Sequence, residues 1–305
     1  MKRVLTAVVL IPLVLLIVFK APLWVFALVV AAIIVLALHE YLNIAEAAGI
    51  KPFRKLTYVL GLALPLILVI SAVVRLSMPD RRFYSYDHDL SVLLVTAVLL
   101  PVLFGIPLVF RGDLHGGFAS SACSAFGILY IAVSLSLLIV FRHDPLQYTL
   151  IIFVLFSVWA GDIAAFYVGS SFGRHKLAPV VSPNKSWEGA VASVVASVLI
   201  AILVFHFQQQ IRGWFTFTWT FYTPLAPIQI PLAHVITIGI LANVAAQLGD
   251  LFESALKRGA GLKDSGTLLP GHGGILDRID ALLFAIPVVW YYANLTGFLQ
   301  PRFLP

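Results

Sequence analysis

Between Asp250 and Asp280 the chain reads DLFESALKRGAGLKDSGTLLPGHGGILDRID. Five carboxylates (Asp250, Glu253, Asp264, Asp277, Asp280) are interleaved there with four fixed cations (Lys257, Arg258, Lys263, Arg278). On a helix, Asp250, Ser254 and Lys257 stand at i, i+4 and i+7 and share one face. Asp277 and Asp280, at i and i+3, share a face of the helix that begins there. Between them, Gly259, Gly261, Gly266, Pro270, Gly271, Gly273 and Gly274 prevent a helix and let backbone N–H groups come close to an anion. Carboxylate oxygens suit magnesium, and Lys and Arg suit phosphates, so the pattern is that of a metal-assisted polyphosphate site. A loop of salt bridges at a membrane surface would explain the cations. It would not explain Asp250, which lies inside an apolar run, or the density of small residues.

A second polar stretch, GSSFGRHKLAPVVSPNKSWEG, runs from Gly169 to Gly189. Gly169, Gly173, Ser182, Asn184, Lys185 and Ser186 are candidate phosphate or sugar ligands. Trp187 could anchor the chain at an interface or pack on a base. Ser186 followed by Glu188 and Gly189 reads as a helix start, and helix N-termini attract anions. Asp162, in VWAGDIAAFYVG, lies in mid-segment. A carboxylate at membrane depth costs a few kcal/mol and faces a polar cavity or a partner on another helix. Of the histidines only His272, in PGHGG, has a chemical context; His206 and His234 flank an aromatic stretch. No HExxH, GxSxG or Walker A pattern is present.

The elements that must position these residues are set by composition. The chain has 305 residues, 61% hydrophobic and 11% charged, against about a quarter charged in soluble domains. Mean hydropathy is +1.00. A soluble enzyme, a disordered chain and a nucleic-acid-binding module are thereby excluded, leaving an all-α polytopic membrane bundle. The single cysteine, Cys123, permits no internal disulfide and no cysteine metal site. Nine apolar segments are long enough, or nearly so, to cross the bilayer: 4–19, 21–38, 57–75, 90–110, 117–141, 148–170, 188–207, 232–256 and 280–299. The first reads as a retained helix, because no small-x-small cleavage site follows it. The stretch 208–231, rich in Trp, Phe and Tyr, suits an interfacial segment. A cytoplasmic N-terminus puts 13 Lys and Arg in inside loops and 7 outside, which favours that orientation. Two regions are expected: N-terminal helices over 1–145, and a catalytic region over 146–305 with cytoplasmic loops 171–187 and 257–279.

These residues resemble a known family. Ser254-Ala-Leu-Lys257-Arg258, then Lys263-Asp264, then Pro270-Gly-His272-Gly273-Gly274-Ile-Leu-Asp277-Arg278-Ile-Asp280 looks like the signature of phosphatidate cytidylyltransferases. Ser182-Pro-Asn184-Lys185-Ser186-Trp187-Glu188-Gly189 resembles the family's second conserved stretch, and Asp162 with Ala164-Ala165-Phe166 and Gly169 a third. The resemblance implies conversion of CTP and phosphatidate to CDP-diacylglycerol and pyrophosphate, with Mg2+ as cofactor and room for a second cation. By position, Asp250 and Asp277 would bind metal, with Asp280 and Asp162 as further candidates. Lys257, Arg258, Lys263, Asp264, His272 and Arg278 would line the nucleotide and phosphate site. Ser182, Asn184, Lys185, Trp187, Glu188, Ser254, Gly273 and Gly274 would bind substrate. The expected partners are CTP, phosphatidate and membrane lipid, with no nucleic acid, and a homodimer is the assembly to test. The expected location is a bacterial inner membrane, with the site on the cytoplasmic side. Two alternatives stand beside this: a cytidylyltransferase for another lipid phosphate, and a transporter in which Asp162 and Asp250 relay ions. A phosphotransferase that consumes CDP-activated lipid lacks its aspartate-rich signature here.

Overall fold

A computed structural model describes residues 2–77, 87–111, 114–143, 147–216, 229–268 and 273–299. The helices are α1 (Lys2–Lys20), α2 (Leu23–Ala47), α3 (Arg54–Ser77), α4 (Asp87–Arg111), α5 (Leu114–Gly127), α6 (Ser134–His143) and α7 (Tyr148–Phe172). They continue with α8 (Trp187–His206), α9 (Gln208–Thr216), α10 (Leu232–Gly259) and α11 (Leu276–Thr296). A π-helical stretch, Ile128–Val133, joins α5 to α6 within one span. Apolar runs of this length become helices because lipid offers no partner for an open backbone N–H or C=O. Pro12, Pro65, Pro101, Pro107 and Pro287 all lie inside helices, which membrane spans accommodate.

Among the described residues, eight helices are long and apolar enough to cross a membrane. They match eight of the nine expected segments. The first expected segment is helical as α1, but its fully described part, Ile11–Lys20, is by itself shorter than a span. The second runs well past its expected end at 38, to Ala47. The spans differ in how much they face outward. Only 11% of the Ser91–Phe110 window is buried, against 72% of Gly116–Arg142, so the former shows its apolar side chains to lipid while the latter is core. The connection expected as a loop over 171–187 carries a two-stranded antiparallel hairpin, β1 (Lys176–Ala178) and β2 (Ser182–Ser186). Pairing satisfies backbone groups that a loop would leave to solvent. Of the aromatic stretch, α9 covers the start, and residues 217–228 lie outside the described residues.

The chain divides into two compact units. Unit 1 comprises Met1–Leu5, Leu23–Val140 and Ala255–Ile279. Its core holds Ile34, Leu38 and Leu42 of α2, Leu64 and Leu68 of α3, Phe104 of α4, and Ile128 and Ile131 of the π stretch. Gly61 lets α3 approach α2, since a Cβ there would sit 2.7 Å from Leu38. Tyr41 donates its hydroxyl proton to the Cys123 carbonyl (3.0 Å), and the backbone N–H of Phe53 donates to Ser124 Oγ (2.9 Å). Unit 2 comprises Thr6–Pro22, Phe141–Ser254 and Asp280–Pro305. There α7, α8 and α10 are joined by polar contacts: Ser157 to Ser197, Ser197 Oγ to the Gly239 carbonyl (2.8 Å), and Asn243 Nδ2 to Ser193 Oγ (2.9 Å). Small and hydroxyl-bearing residues at such crossings are how helices associate where lipid removes the hydrophobic driving force.

Candidate active site

In unit 2, α7, the hairpin, α8 and α10 enclose a cavity of about 670 Å³. Its charged and amide lining is Asp162, Lys176, Asn184, Lys185, Asn243, Gln247 and Asp250. Lys185 Nζ is 2.5 Å from Asp250 Oδ2, and both side chains are about a third exposed. Within the lining, Gln247 Nε2 donates to Asn243 Oδ1 (2.6 Å) and to the Ala190 carbonyl (3.1 Å). Small residues, Ala165, Gly169, Gly173, Gly189 and Ala190, make up part of the remaining wall, with Val158, Phe166 and Leu177 as its larger apolar members. Ser186, as expected, caps α8. Its backbone is extended (φ −126°, ψ 155°) and its Oγ accepts the Gly189 N–H at 3.2 Å. The glycines around it are there for space: a Cβ on Gly173 would lie 2.7 Å from Ser186 Oγ, and one on Gly189 would lie 2.8 Å from the Ala165 carbonyl oxygen.

Other expected ligands in unit 2 have local tasks. Glu188 accepts from the His175 backbone N–H (3.2 Å) and meets His175 Nδ1 at 2.7 Å, tying the start of α8 to the hairpin. Trp187 is 57% exposed. Ser182 pairs with Ala178 across the hairpin. Ser254 lies one turn beyond Asp250 on α10, half-buried. Asp280 Oδ1 accepts the Ala281 N–H at 2.8 Å.

Unit 1 holds the second cluster. Lys257 and Asp277 form an ion pair (Nζ–Oδ1, 2.5 Å) whose side chains are only 10% and 8% exposed. Asp277 Oδ2 accepts the backbone N–H groups of Gly274 (2.8 Å) and Ser265 (3.0 Å). Gly273 takes φ +75°, which an L side chain rarely adopts. Arg258 Nη1 donates to the Leu262 carbonyl (3.1 Å), closing the end of α10. Lys263, Asp264 and Arg278 are exposed. His272 lies outside the described residues. The glycines therefore do bring backbone N–H groups to an anion, and in this structure the anion belongs to the protein.

Sequence reasoning missed Glu40. This carboxylate of α2 is 5% exposed and accepts from Ser265 Oγ (2.8 Å), Ile275 N (2.9 Å) and Leu276 N (2.8 Å). The signal is a glutamate only two residues past the apolar run, in VLALHEYLNI, but a span expected to end at 38 places it in the following loop. Ser193, Asn243 and Gln247 of the cavity were also passed over, because neutral polar side chains in an apolar helix read as ordinary interhelical contacts, and Lys176 of the hairpin read as one more loop cation.

Among the described residues, no three His, Cys, Asp or Glu side chains converge as a metal cage. Magnesium does not require one: it keeps waters and is held by one or two carboxylates plus substrate phosphates. Asp162 and Asp250 on the wall of one cavity fit that donor set.

Comparison with known proteins accords with this chemistry. The model of the cytidylyltransferase family matches residues 1–296. A phosphatidate cytidylyltransferase of Synechocystis sp. is 30% identical over 89% of this chain and 89% of its own length. That of Staphylococcus saprophyticus is 29% identical over 84% of this chain and 88% of its own. That of Bacillus subtilis is 37% identical over about half of each chain (53% and 54%). A helical membrane bundle with a carboxylate- and lysine-lined cavity, matched by that model almost end to end, belongs to the cytidylyltransferase family.

Proposed function

We propose that this membrane-embedded chain transfers a cytidylyl group from CTP to phosphatidate, forming CDP-diacylglycerol and releasing pyrophosphate. The observation that carries the reading is the unit 2 cavity, lined by two carboxylates from membrane-spanning helices and two lysines from the hairpin. Relatives named for this activity support it.

In the reaction an oxygen of the phosphatidate phosphomonoester forms a bond to the α-phosphorus of CTP, and the bond to the pyrophosphate oxygen breaks. A phosphomonoester has its second pKa near ~6, so near neutral pH it is already largely a dianion and needs no general base. The barrier is repulsion between polyanions. Lys185 and Lys176 would bind phosphate oxygens as point charges and hold them in line. The small residues around Ser186 would let phosphates approach the start of α8, where the helix dipole favours an anion. Asp250, with Asp162 on the same cavity wall, would hold magnesium, and Asp277 and Asp280 are assigned to metal on the strength of the signature alone. When bound, that ion supplies charge neutralisation on the phosphates and the leaving pyrophosphate. Lys257, Arg258, Lys263, Asp264, His272 and Arg278 are assigned to the nucleotide and its phosphates on the strength of the signature alone. The setting we propose is a bacterial inner membrane with the N-terminus and the site on the cytoplasmic side, where CTP is found.

The test is an assay of purified protein with radiolabelled CTP, phosphatidate and magnesium. Label entering the lipid phase only when all three are present is the expected result. No lipid label with all three present overturns the proposal. Varying the lipid then separates phosphatidate from other lipid phosphates.

A further inference from the structure

Glu40 comes from the N-terminal helices, yet its side chain is bound to the signature loop more than 220 residues away in sequence. Leu276 is the first residue of α11 and Ile275 precedes it, and N–H groups at a helix start have no partner within the helix. Glu40 supplies both partners, one on each carboxylate oxygen. It therefore stands where a local Asp or Ser cap would ordinarily stand. Its third donor is Ser265 Oγ, and the same Oγ accepts the backbone N–H of Asp277 at 3.3 Å. The Ser265 N–H in turn binds the Asp277 carboxylate. Ser265 thus ties Glu40 to Asp277, and Asp277 is held by Lys257.

The packing is tight. A Cβ on Gly266 would lie 2.7 Å from Glu40 Oε1, and one on Gly274 would collide with both Glu40 Oε2 and Ser265 Oγ. Two of the signature's glycines are small so that the loop can close around Glu40.

We infer that Glu40 is a positioning residue for the reaction. It fixes the Ser265 and Gly273–Leu276 backbone so that the Asp277 carboxylate is presented in one orientation. The inference rests on the proposed cytidylyl transfer for its readout. The chemistry favours a carboxylate here over any neutral group. Glutamine would place an NH2 against either the Ile275 N–H or the Ser265 and Leu276 donors, setting donor against donor.

The experiment uses the full chain, purified in detergent, with CTP, phosphatidate and magnesium. For Glu40→Gln we expect kcat to fall about 100-fold, the effect of roughly ångström-scale misplacement of a reacting group. Both KM values should stay within about threefold of wild type, because the interaction lost acts on the transition state and not on uniform binding. Glu40→Asp, which keeps the charge, should recover about tenfold of that loss. Ser265→Ala should lower kcat about tenfold, and the double variant should be no slower than Glu40→Gln, since residues acting through one network are not additive. Effects of the two substitutions that multiply would overturn the route through Ser265. A folded Glu40→Gln protein with kcat within about threefold of wild type overturns the role itself. If Glu40→Gln does not fold, Ser265→Ala decides alone: kcat down about tenfold supports the inference, and kcat within about twofold overturns it. A wild-type protein that makes no CDP-lipid defeats the underlying reading. Normal wild-type turnover with an unaffected Glu40→Gln defeats only the positioning role.

Discussion

Lys185 and Lys257 each sit 2.5 Å from an aspartate, Asp250 and Asp277 respectively. The two pairs differ in everything around that contact. The Lys257–Asp277 pair is about nine-tenths buried, and Asp277 also accepts two backbone N–H groups. The Lys185–Asp250 pair is about one-third exposed and faces a cavity. A buried pair locked by its own loop keeps a conformation, and a half-open pair at a cavity can exchange its partner for a ligand. The first is suited to hold the signature loop in shape, and the second to meet phosphate and cation.

That distinction can be broken most directly by neutralising the two aspartates. Asp250→Asn and Asp277→Asn should each abolish turnover, by about 10³-fold or more, given what charge-neutralising groups contribute to phosphoryl chemistry. Their stabilities should part: Asp277→Asn strands a buried Lys257 and should cost about 3–5 kcal/mol, whereas Asp250→Asn should change stability by less than about 1 kcal/mol. Thermal denaturation of the purified variants measures this; equal destabilisation would erase the difference between the clusters. Substantial activity in either would sink the metal assignment.

Lys185→Met should lower turnover about 100-fold, the scale for losing one preorganised charge at a reacting group, with the melting temperature almost unmoved. Turnover near the wild-type value would show that the open pair is structural too. Gly274→Ala, whose Cβ meets Glu40 and Ser265, should destabilise by about 1–3 kcal/mol through overpacking. In unit 2, Gly169→Ala meets Ser186 Oγ only at 3.2 Å and should cost less. A reversed order, read by denaturation, would count against the close fit around Glu40. A small effect on stability is expected at Ser186: its replacement by Ala removes one helix cap, worth about 1 kcal/mol, which thermal denaturation measures.

The spans were legible because lipid allows few solutions: an apolar run of some twenty residues has to be a helix. Asp250 stood out because a carboxylate within such a run has to be explained. The Ser186 cap was legible because it depends on only three consecutive neighbours. What escaped was non-local. Nothing in Ser265 or Gly274 points to α2, and Glu40 falls just beyond the expected end of its span because hydropathy drops at His39. Likewise the glycines signalled close approach to an anion without saying whose. The hairpin of β1 and β2 was missed because strands of three and five residues leave too little pattern to count.

The reach of Glu40 also bears on how the protein is made. A ribosome adds about 5–20 residues per second, so α2 enters the membrane roughly 10–45 s before Ser265, Ile275 and Leu276 exist. Through that interval the nascent chain carries a carboxylate at the end of a membrane helix without its final donors. The loop at Ser265 and the start of α11 supply them, so a carboxylate that enters the membrane early waits for partners made more than 220 residues later.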